Sequence, residues 1–283
     1  MRFIAAALLL LALPAQSAIV CFNEDCLPSV IAFDGNRAIL GGKFANRTLL
    51  FRDGVWRETD AVKARPAPKC PREFRAKNYA ESGEDEMWSV ACAEANGFVY
   101  GGLSFYEGEG STGRGGLLRL DRKTRRLEVR RLPMLRHVSI NSIAADGDIV
   151  WFGTTVNGEC VGEPVVHGLV RYQWSSGETR TYEGSDDGPI GGVIHDVVVR
   201  PDGLWVATDL GISRLDRQTS TWRHYSPVES DGFLIAEEKT PREILEPLLR
   251  KTPPDCLRND SAENQLVEEL TKFRPKLLHR MLK

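Results

Sequence analysis

VIHDVVVRPDGLWVATDLGISRLDRQTSTWRHYSP, residues 193–227, holds four short β-prone runs separated by turn chemistry. VIHDVVV is followed by Pro201-Asp202-Gly203, then LWVAT, the turn Asp209-Leu210-Gly211, ISRLD, a polar turn at 217–220, and TWRHY. Gly, Asp and Asn reach the left-handed conformations that tight hairpins need, while β-branched and aromatic side chains suit a pleated surface. Four antiparallel strands in about 35 residues make one propeller blade, provided the unit repeats.

It does repeat. A first unit reads SVIAF, Asp34-Gly35-Asn36, RAILGG, TLLFRD, a turn at Gly54, and VWRET. A second reads WSVACAEANGFVYGGL, an insert SFYEGEGSTGR, GGLLRLD, the turn RKTR, and RLEVRRL. A third reads SINSIAADGDIVWFGTT, an insert VNGECVGEPVVH, GLVRYQ, a turn at 175–177, and ETRTYEG. The units align on a small pair ending the second strand: Gly41-Gly42, Gly101-Gly102, Gly153-Thr154 and Ala207-Thr208, at offsets of 60, 52 and 54 residues. Propeller repeats run about 40–50 residues, so these offsets fit once the inserts are allowed for. Ile39, Val99, Trp151 and Trp205 precede the pairs as expected inter-blade anchors. A β-sandwich is the competing architecture. The recurring third strand, Leu117–Leu120, Leu169–Tyr172 and Ile212–Leu215, argues against it. The expected fold is an all-β propeller of four-stranded antiparallel blades, four or five in number, with a C-terminal helical appendage.

DGLWVATDLGISRLDRQTSTWRHYSP resembles the propeller repeat of two-component-regulator sensor domains, the periplasmic ligand-binding sensor propellers. Their pattern is G-[LI]-W-[VF]-[GA]-T, then G-[LI]-x-[RY]-[LFY] and a short polar turn. VWFGTT with GLVRYQ resembles it well, FVYGGL with GLLRLD less so, and the first unit least; the match spans roughly residues 29–227. The resemblance implies a blade and little about activity. Members of that family usually stand before a membrane span and a histidine kinase, neither of which is readable in this chain.

The ends differ from the middle. Residues 1–17, MRFIAAALLLLALPAQS, combine Arg2, an apolar run of 11 residues, Pro14 and small residues at 15 and 17, the layout of a cleavable secretory signal. The apolar run is shorter than the roughly 20 residues a membrane span needs. Residues 18–232 are assigned to the propeller and 233–283 to a helical tail. Thr240-Pro241-Arg242-Glu243 is a capping box with proline at the first helical position, and Leu266, Leu270, Phe273, Leu277 and Met281 recur at helical spacing. Packing of the tail on the propeller and docking on a partner both remain open.

Export places the chain in the periplasm or outside the cell and changes the meaning of the six cysteines, at 21, 26, 70, 92, 160 and 256. An even number in an oxidising compartment points to disulfides, and six allow 15 pairings. The expected set is Cys21–Cys26, Cys70–Cys92 and Cys160–Cys256. No CxxC or HxxxH supports zinc. The formal net charge is −2, which argues against a general nucleic-acid binder.

Candidate binding residues come from two arguments. The inserts 103–114 and 155–167 emerge at one end of a propeller together with the connections 133–139 and 185–192. They present Phe105, Tyr106, Glu107, Glu109, Glu159, Glu163, His167, Asp186 and Asp187. Register supplies the second set. Ser29, Ser89, Asn141 and His195 lie ten residues before the hydrophobic anchors, at the start of each innermost strand, around the channel mouth. Asp196 should point to the opposite side of its strand from His195.

Gly108-x-Gly110-x-x-Gly113 matches a dinucleotide fingerprint only formally, since it sits in a hairpin insert with no helix to receive phosphates. No cofactor is expected. Asp186, Asp187 and Glu159 make too small a donor set for calcium to be more than a remote alternative. Nine Lys/Arg between Arg114 and Arg136 read as a solvated outer hairpin whose charges block edge-to-edge pairing, or else as a docking patch. The sequence therefore points to an exported, non-catalytic binding module that recognises a protein or an envelope ligand through its inserted-loop end. Two other readings stand beside it. One is a propeller lyase or hydrolase using His195, His167 and Glu159 or Glu163; the other is a sensor accessory protein.

Overall fold

The computed structural model describes residues 28–63, 69–76, 86–107, 110–111, 116–135, 138–155, 168–182, 187–191 and 193–250. The signal-like segment, Cys21, Cys26, Cys160 and the tail beyond residue 250, with Cys256, lie outside them.

Each repeat folds as an up-and-down sheet. Blade 1 is β1 (Val30–Asp34), β2 (Arg37–Leu40), β3 (Thr48–Arg52) and β4 (Val55–Thr59). The connector carries a one-turn helix, α1 (Glu73–Ala76). Blade 2 is β5 (Glu86–Ala95) and β6 (Phe98–Glu107), with β7 (Gly110–Ser111) folding back on the end of β6, then β8 (Gly116–Asp121) and β9 (Leu127–Arg130). Blade 3 is β10 (Ser139–Asp146), β11 (Ile149–Thr155), β12 (Gly168–Gln173) and β13 (Thr179–Tyr182). Blade 4 is β14 (Ile194–Arg200), β15 (Gly203–Thr208), β16 (Gly211–Leu215) and β17 (Trp222–Tyr225). Among the described residues the fold is a β-propeller of four antiparallel blades.

The blades stack through their apolar faces. Tyr100, Leu117, Ile140, Phe152, Tyr172 and Trp174 fill the seam between blades 2 and 3. Trp151, Tyr182, Ile194, Val197 and Val206 fill the next one. Phe33, Leu40, Trp56, Trp205 and Tyr225 fill the seam where blade 4 meets blade 1. Small residues permit this approach: a Cβ on Gly153 would stand 2.6 Å from the Cβ of Ile194 in the next blade, so only hydrogen fits.

The remaining face of blade 2 is covered differently. Phe74 of α1 is fully buried there with Val99, Leu103, Leu118, Leu120 and Cys92. The disulfide Cys70–Cys92 ties this segment to the inner strand, as the cysteine positions led us to expect. A Cβ on Gly101 would come within 2.7 Å of the Phe74 ring. This corrects one alignment. Gly102 pairs with Leu117 as Gly153 pairs with Leu169, so Gly102, not Gly101, is the equivalent of Gly153. A slip of one residue reverses the faces of a strand. Tyr100 is therefore the inter-blade anchor, and Val99 faces Phe74.

After β17 the chain crosses to the neighbouring blade 1. β18 (Val228–Ser230) and β19 (Phe233–Ala236) extend the outer edge of blade 1, with Ile235 opposite Arg57. β20 (Glu238–Lys239) then returns to the outer edge of blade 4, pairing with β17. The boundary drawn at 232 thus falls in the turn of a hairpin, and residues 233–239 are strand. The helical part begins with α2 (Pro241–Arg250), whose capping box forms as expected: Glu243 N–H donates to Thr240 Oγ1 at 3.3 Å, and Thr240 N–H donates to Glu243 Oε2 at 2.8 Å.

The crossing hairpin is held by one arginine. Arg47 donates to both oxygens of Glu58, at 2.6 and 2.5 Å, to Glu229 at 3.1 Å and to the Gly232 carbonyl at 3.0 Å. Glu58 also accepts from Leu234 N–H at 2.9 Å. The Arg47 guanidinium, with that amide, holds the Glu58 carboxyl below its usual range despite partial burial. A bidentate pair tied to backbone on a second element is worth more than an open surface pair. Arg47→Ala should therefore lower stability by about 1–3 kcal/mol. Arg223→Ala, which breaks the exposed pair with Glu238, should cost under about 1 kcal/mol. Denaturant unfolding of the two variants gives the comparison, and equal losses would contradict the clasp.

Candidate functional site

The innermost strands share a defect. In β1 the pairing register shifts between Val30 and Ala32, in β5 between Met87 and Ser89, in β10 between Ile140 and Ser142, and in β14 between Ile194 and Asp196. One residue per blade is thus left out of the ladder: Ile31, Trp88, Asn141 and His195. All four lie near the start of the strand, at the end where the inserts leave blades 2 and 3. Bulges at such positions bend the strand and re-aim side chains.

Two of the four residues expected at the channel mouth, Asn141 and His195, are these bulged residues. The other two are not. Ser29 lies two positions before the bulge of blade 1 and is buried, with its carbonyl accepting from Gly41 N–H. Ser89 lies just after the bulge of blade 2 and is back in the ladder, paired with Ser104. Counting ten residues from Ile39 and Val99 failed because the inner strand is shorter between bulge and turn in blade 1 and longer in blade 2, where Trp88 lies twelve residues before Tyr100. Ile31, which that count missed, exposes 44 % of its surface.

The mouth is knitted across blades. The Asn141 amide donates to the Ile194 carbonyl of blade 4. Beside it, the buried Ser142 Oγ has no hydrogen-bond partner. Asp196, the next residue after the bulged His195, reaches across to blade 1. Its Oδ2 accepts from Phe33 N–H of blade 1 at 2.8 Å and its Oδ1 from Val197 N–H at 2.9 Å. Burial outweighs those two bonds and pushes the carboxyl up to about 6.

Phe105, Tyr106 and Glu107 form the far end of β6, paired with β5 and β7, which places them on the insert side. Asp187 is exposed in the turn before β14. Glu109, Glu159, Glu163, His167 and Asp186 lie outside the described residues, and so does most of the calcium set. Among the described residues no three His, Cys, Asp or Glu side chains converge as metal ligands would.

Sequence reasoning missed one polar contact. His224 Nδ1 lies 3.0 Å from Ser213 Oγ, which itself accepts from Ile190 N–H at 2.7 Å. The Ser213 hydroxyl proton is left for Nδ1. Ser213 is 0 % and His224 3 % exposed, so no substrate reaches this pair, and it joins the outer strands of blade 4 to the 187–191 turn. Burial lowers the imidazole to about 4. A histidine and a serine at this spacing carry no sequence signal of their own.

Two arginines of the basic hairpin of blade 2 prove structural. Arg119 packs over Phe98 and Trp174, 4.7 and 4.8 Å from the ring centres, and pairs with Glu128 at 3.0 Å. Arg130 also packs over Trp174, at 4.8 Å, and donates to Tyr172 Oη at 2.6 Å. Trp174 Nε1 completes the set by donating to Glu128 at 3.2 Å. These arginines bond blade 2 to blade 3 rather than facing a partner.

No family model matches the chain, and no curated protein matches it. Among solved structures it is similar to the extracellular domain of a hybrid two-component system from B. thetaiotaomicron, at 15% identity, a TM-score of 0.35, and covering 75% of this chain and 23% of that one. It is also similar to the α-L-arabinanase of Cellvibrio cellulosa (10% identity, TM-score 0.28, 79% of this chain and 98% of that one). The endo-arabinanase of Bacillus licheniformis gives 12% identity and a TM-score of 0.25, covering 75% of this chain and 97% of that one. The chain spans under a quarter of the length of the two-component extracellular domain.

Asp196 and His224 set opposite pH responses. Asp196 titrates near 6 when folded and near 3.8 when exposed, so its contribution to stability rises as pH falls from 6 to 4. His224 titrates near 4 when folded and near 6.5 when exposed, so its contribution is complete above 6.5 and is lost as pH falls towards 4. Each displacement exceeds two pH units, or about 3 kcal/mol, and the two oppose across the same window. Asp196→Asn should therefore steepen the loss of stability between pH 6.5 and 4. His224→Gln should turn it into a gain. Unfolding free energies measured across that range decide this, and parallel profiles for wild type and both variants would refute it.

Proposed function

We propose that this chain is an exported, non-catalytic binding module that takes a protein or envelope ligand at the end of the propeller where the inner strands begin. The observation that carries the reading is the recurrent bulge, which sets one residue of every inner strand outside the ladder at the same end as both long inserts. Lengthened loops on a packed scaffold are where recognition is usually placed. Ile31, Asn141 and His195 then contribute an apolar contact, an amide and an imidazole around the mouth. Phe105, Tyr106, Glu107 and Asp187 stand on the insert side, and the unpartnered Ser142 hydroxyl offers a further polar group. The signal-like leader and the Cys70–Cys92 bond support an oxidising compartment, periplasmic or extracellular. The sensor-type sequence pattern supports ligand recognition as the task. Among the described residues no helix is long and apolar enough to cross a membrane.

Ile31→Lys alters an exposed side chain, and Asn141→Ala with His195→Ala removes the two polar ones. Native extracts passed over immobilised wild-type protein should yield a saturable ligand. Both variants should hold it about tenfold more weakly while melting within a few degrees of wild type. Undiminished capture by the variants would rule out this end as the site. Conversion of the bound ligand, lost in His195→Ala, would instead establish an enzyme.

A further inference from the structure

The other end of blade 2 carries a second feature. The segment 69–76 and the β8–β9 turn together form an open cleft of about 530 Å³ lined by Lys69, Pro71, Arg72, Glu73, Arg122 and Arg125. It lies where β8 ends rather than where it begins, opposite the inserts and the bulged residues. We infer that this cleft binds a phosphate-class anion carrying more than one charge.

Charge is the first ground. Four cations and one carboxylate line the cleft. Arg125 pairs with Glu73, and Arg122 pairs at 2.6 Å with Glu94 outside it. Lys69 and Arg72 are exposed and have no carboxylate partner among the described residues. Each paired arginine keeps N–H donors beyond those its carboxylate uses, since a guanidinium carries five. Guanidinium forks match phosphate oxygens two at a time, and the lysine adds a point charge.

Preorganisation is the second. Lys69 and Arg72 flank Cys70, which is bonded to Cys92 of β5, and Phe74 just beyond is fully buried against blade 2. The opposing turn is fixed as well: Asp121 Oδ1 accepts from Lys123 N–H at 2.8 Å and Thr124 N–H at 2.9 Å, and Arg122 N–H donates to the Gly97 carbonyl at 3.0 Å. The cations are thus held on two tethered walls and not on free loops, which lowers the ordering cost of binding. The volume falls within the range of small-molecule sites, about 300–1,000 Å³, and exceeds a single phosphate. A di- or triphosphate, or neighbouring phosphates on a lipid surface, has the right extent.

Calorimetric titration of the oxidised protein with tripolyphosphate should show binding that weakens as salt rises from 50 to 200 mM. Lys69→Ala/Arg72→Ala should weaken it at least tenfold, whereas Arg52→Ala, an exposed arginine of blade 1, should leave it unchanged. Sedimentation with phosphatidylcholine vesicles containing a quarter phosphatidylglycerol separates the sources. Vesicle binding displaced by tripolyphosphate means a lipid headgroup, and tripolyphosphate binding without vesicle binding means a soluble anion. No binding by wild type, equal binding by the double variant, or equal affinity for a poly-glutamate peptide would each overturn the inference. Loss of this site leaves the ligand of the opposite end in place, so the two readings fail independently.

Discussion

A four-stranded blade in this protein is apolar on both faces, and each face must be covered before the fold is stable. That constraint organises the molecule. Four blades in an arc offer three blade-to-blade seams, 2–3, 3–4 and 4–1, and each holds its own buried cluster. The far face of blade 2 is closed by Phe74, brought there by a connector and secured by Cys70–Cys92. The seam between blades 4 and 1 joins chain segments far apart in sequence, so it needs more than packing. The β18–β20 crossing and the Arg47–Glu58 pair supply it, with the Asp196 bond to Phe33 N–H fastening the same seam nearer the axis.

The repeats were legible because turn chemistry and the two-residue period are local properties. The β strands of blades 3 and 4 fall where Gly, Asp and the alternating apolar residues put them, and the capping box at 240–243 formed as its spacing implied. What failed depends on contacts between blades. Two adjacent glycines at 101 and 102 look alike in sequence, yet one meets Ile140 of the next blade and the other meets Phe74. Only the packing decides which is which, and the choice moved the anchor from Val99 to Tyr100. The bulges were illegible for the same kind of reason. A residue left out of a ladder is defined by the register of both strands, so Ser29 and Ser89 were chosen where Ile31 and Trp88 belong. Residues 228–239 carry too short a pattern to announce that they leave blade 4, extend blade 1 and return to blade 4.

Charge shows the same dependence on context. The Arg-rich hairpin of blade 2 is one compositional feature with two physical roles. Arg119 and Arg130 both pack over Trp174 while their N–H groups reach Glu128 and Tyr172 Oη. Lysine would do this poorly, having neither the plane nor the fork. Arg122 and Arg125, four residues or fewer from Asp121, instead line the cleft under the blade. The run of cations therefore divides at the strand end into an internal brace and an exposed basic wall.

The two ends of the propeller follow different logics of preorganisation. At the insert end, the inner strands themselves are irregular, and those of blades 3 and 4 are held there by a bond to the neighbouring blade, Asn141 to Ile194 and Asp196 to Phe33. Any ligand bound there would sense the spacing between blades, since the groups it meets belong to different sheets. At the opposite end, the cations of the cleft belong to blade 2 and its tethered connector alone. Their arrangement does not involve the other blades and depends on the Cys70–Cys92 bond, which ties the 69–76 wall to β5 of the same blade. The first end is thus suited to recognition coupled to the state of the propeller, and the second to an attachment that persists whatever the ring does.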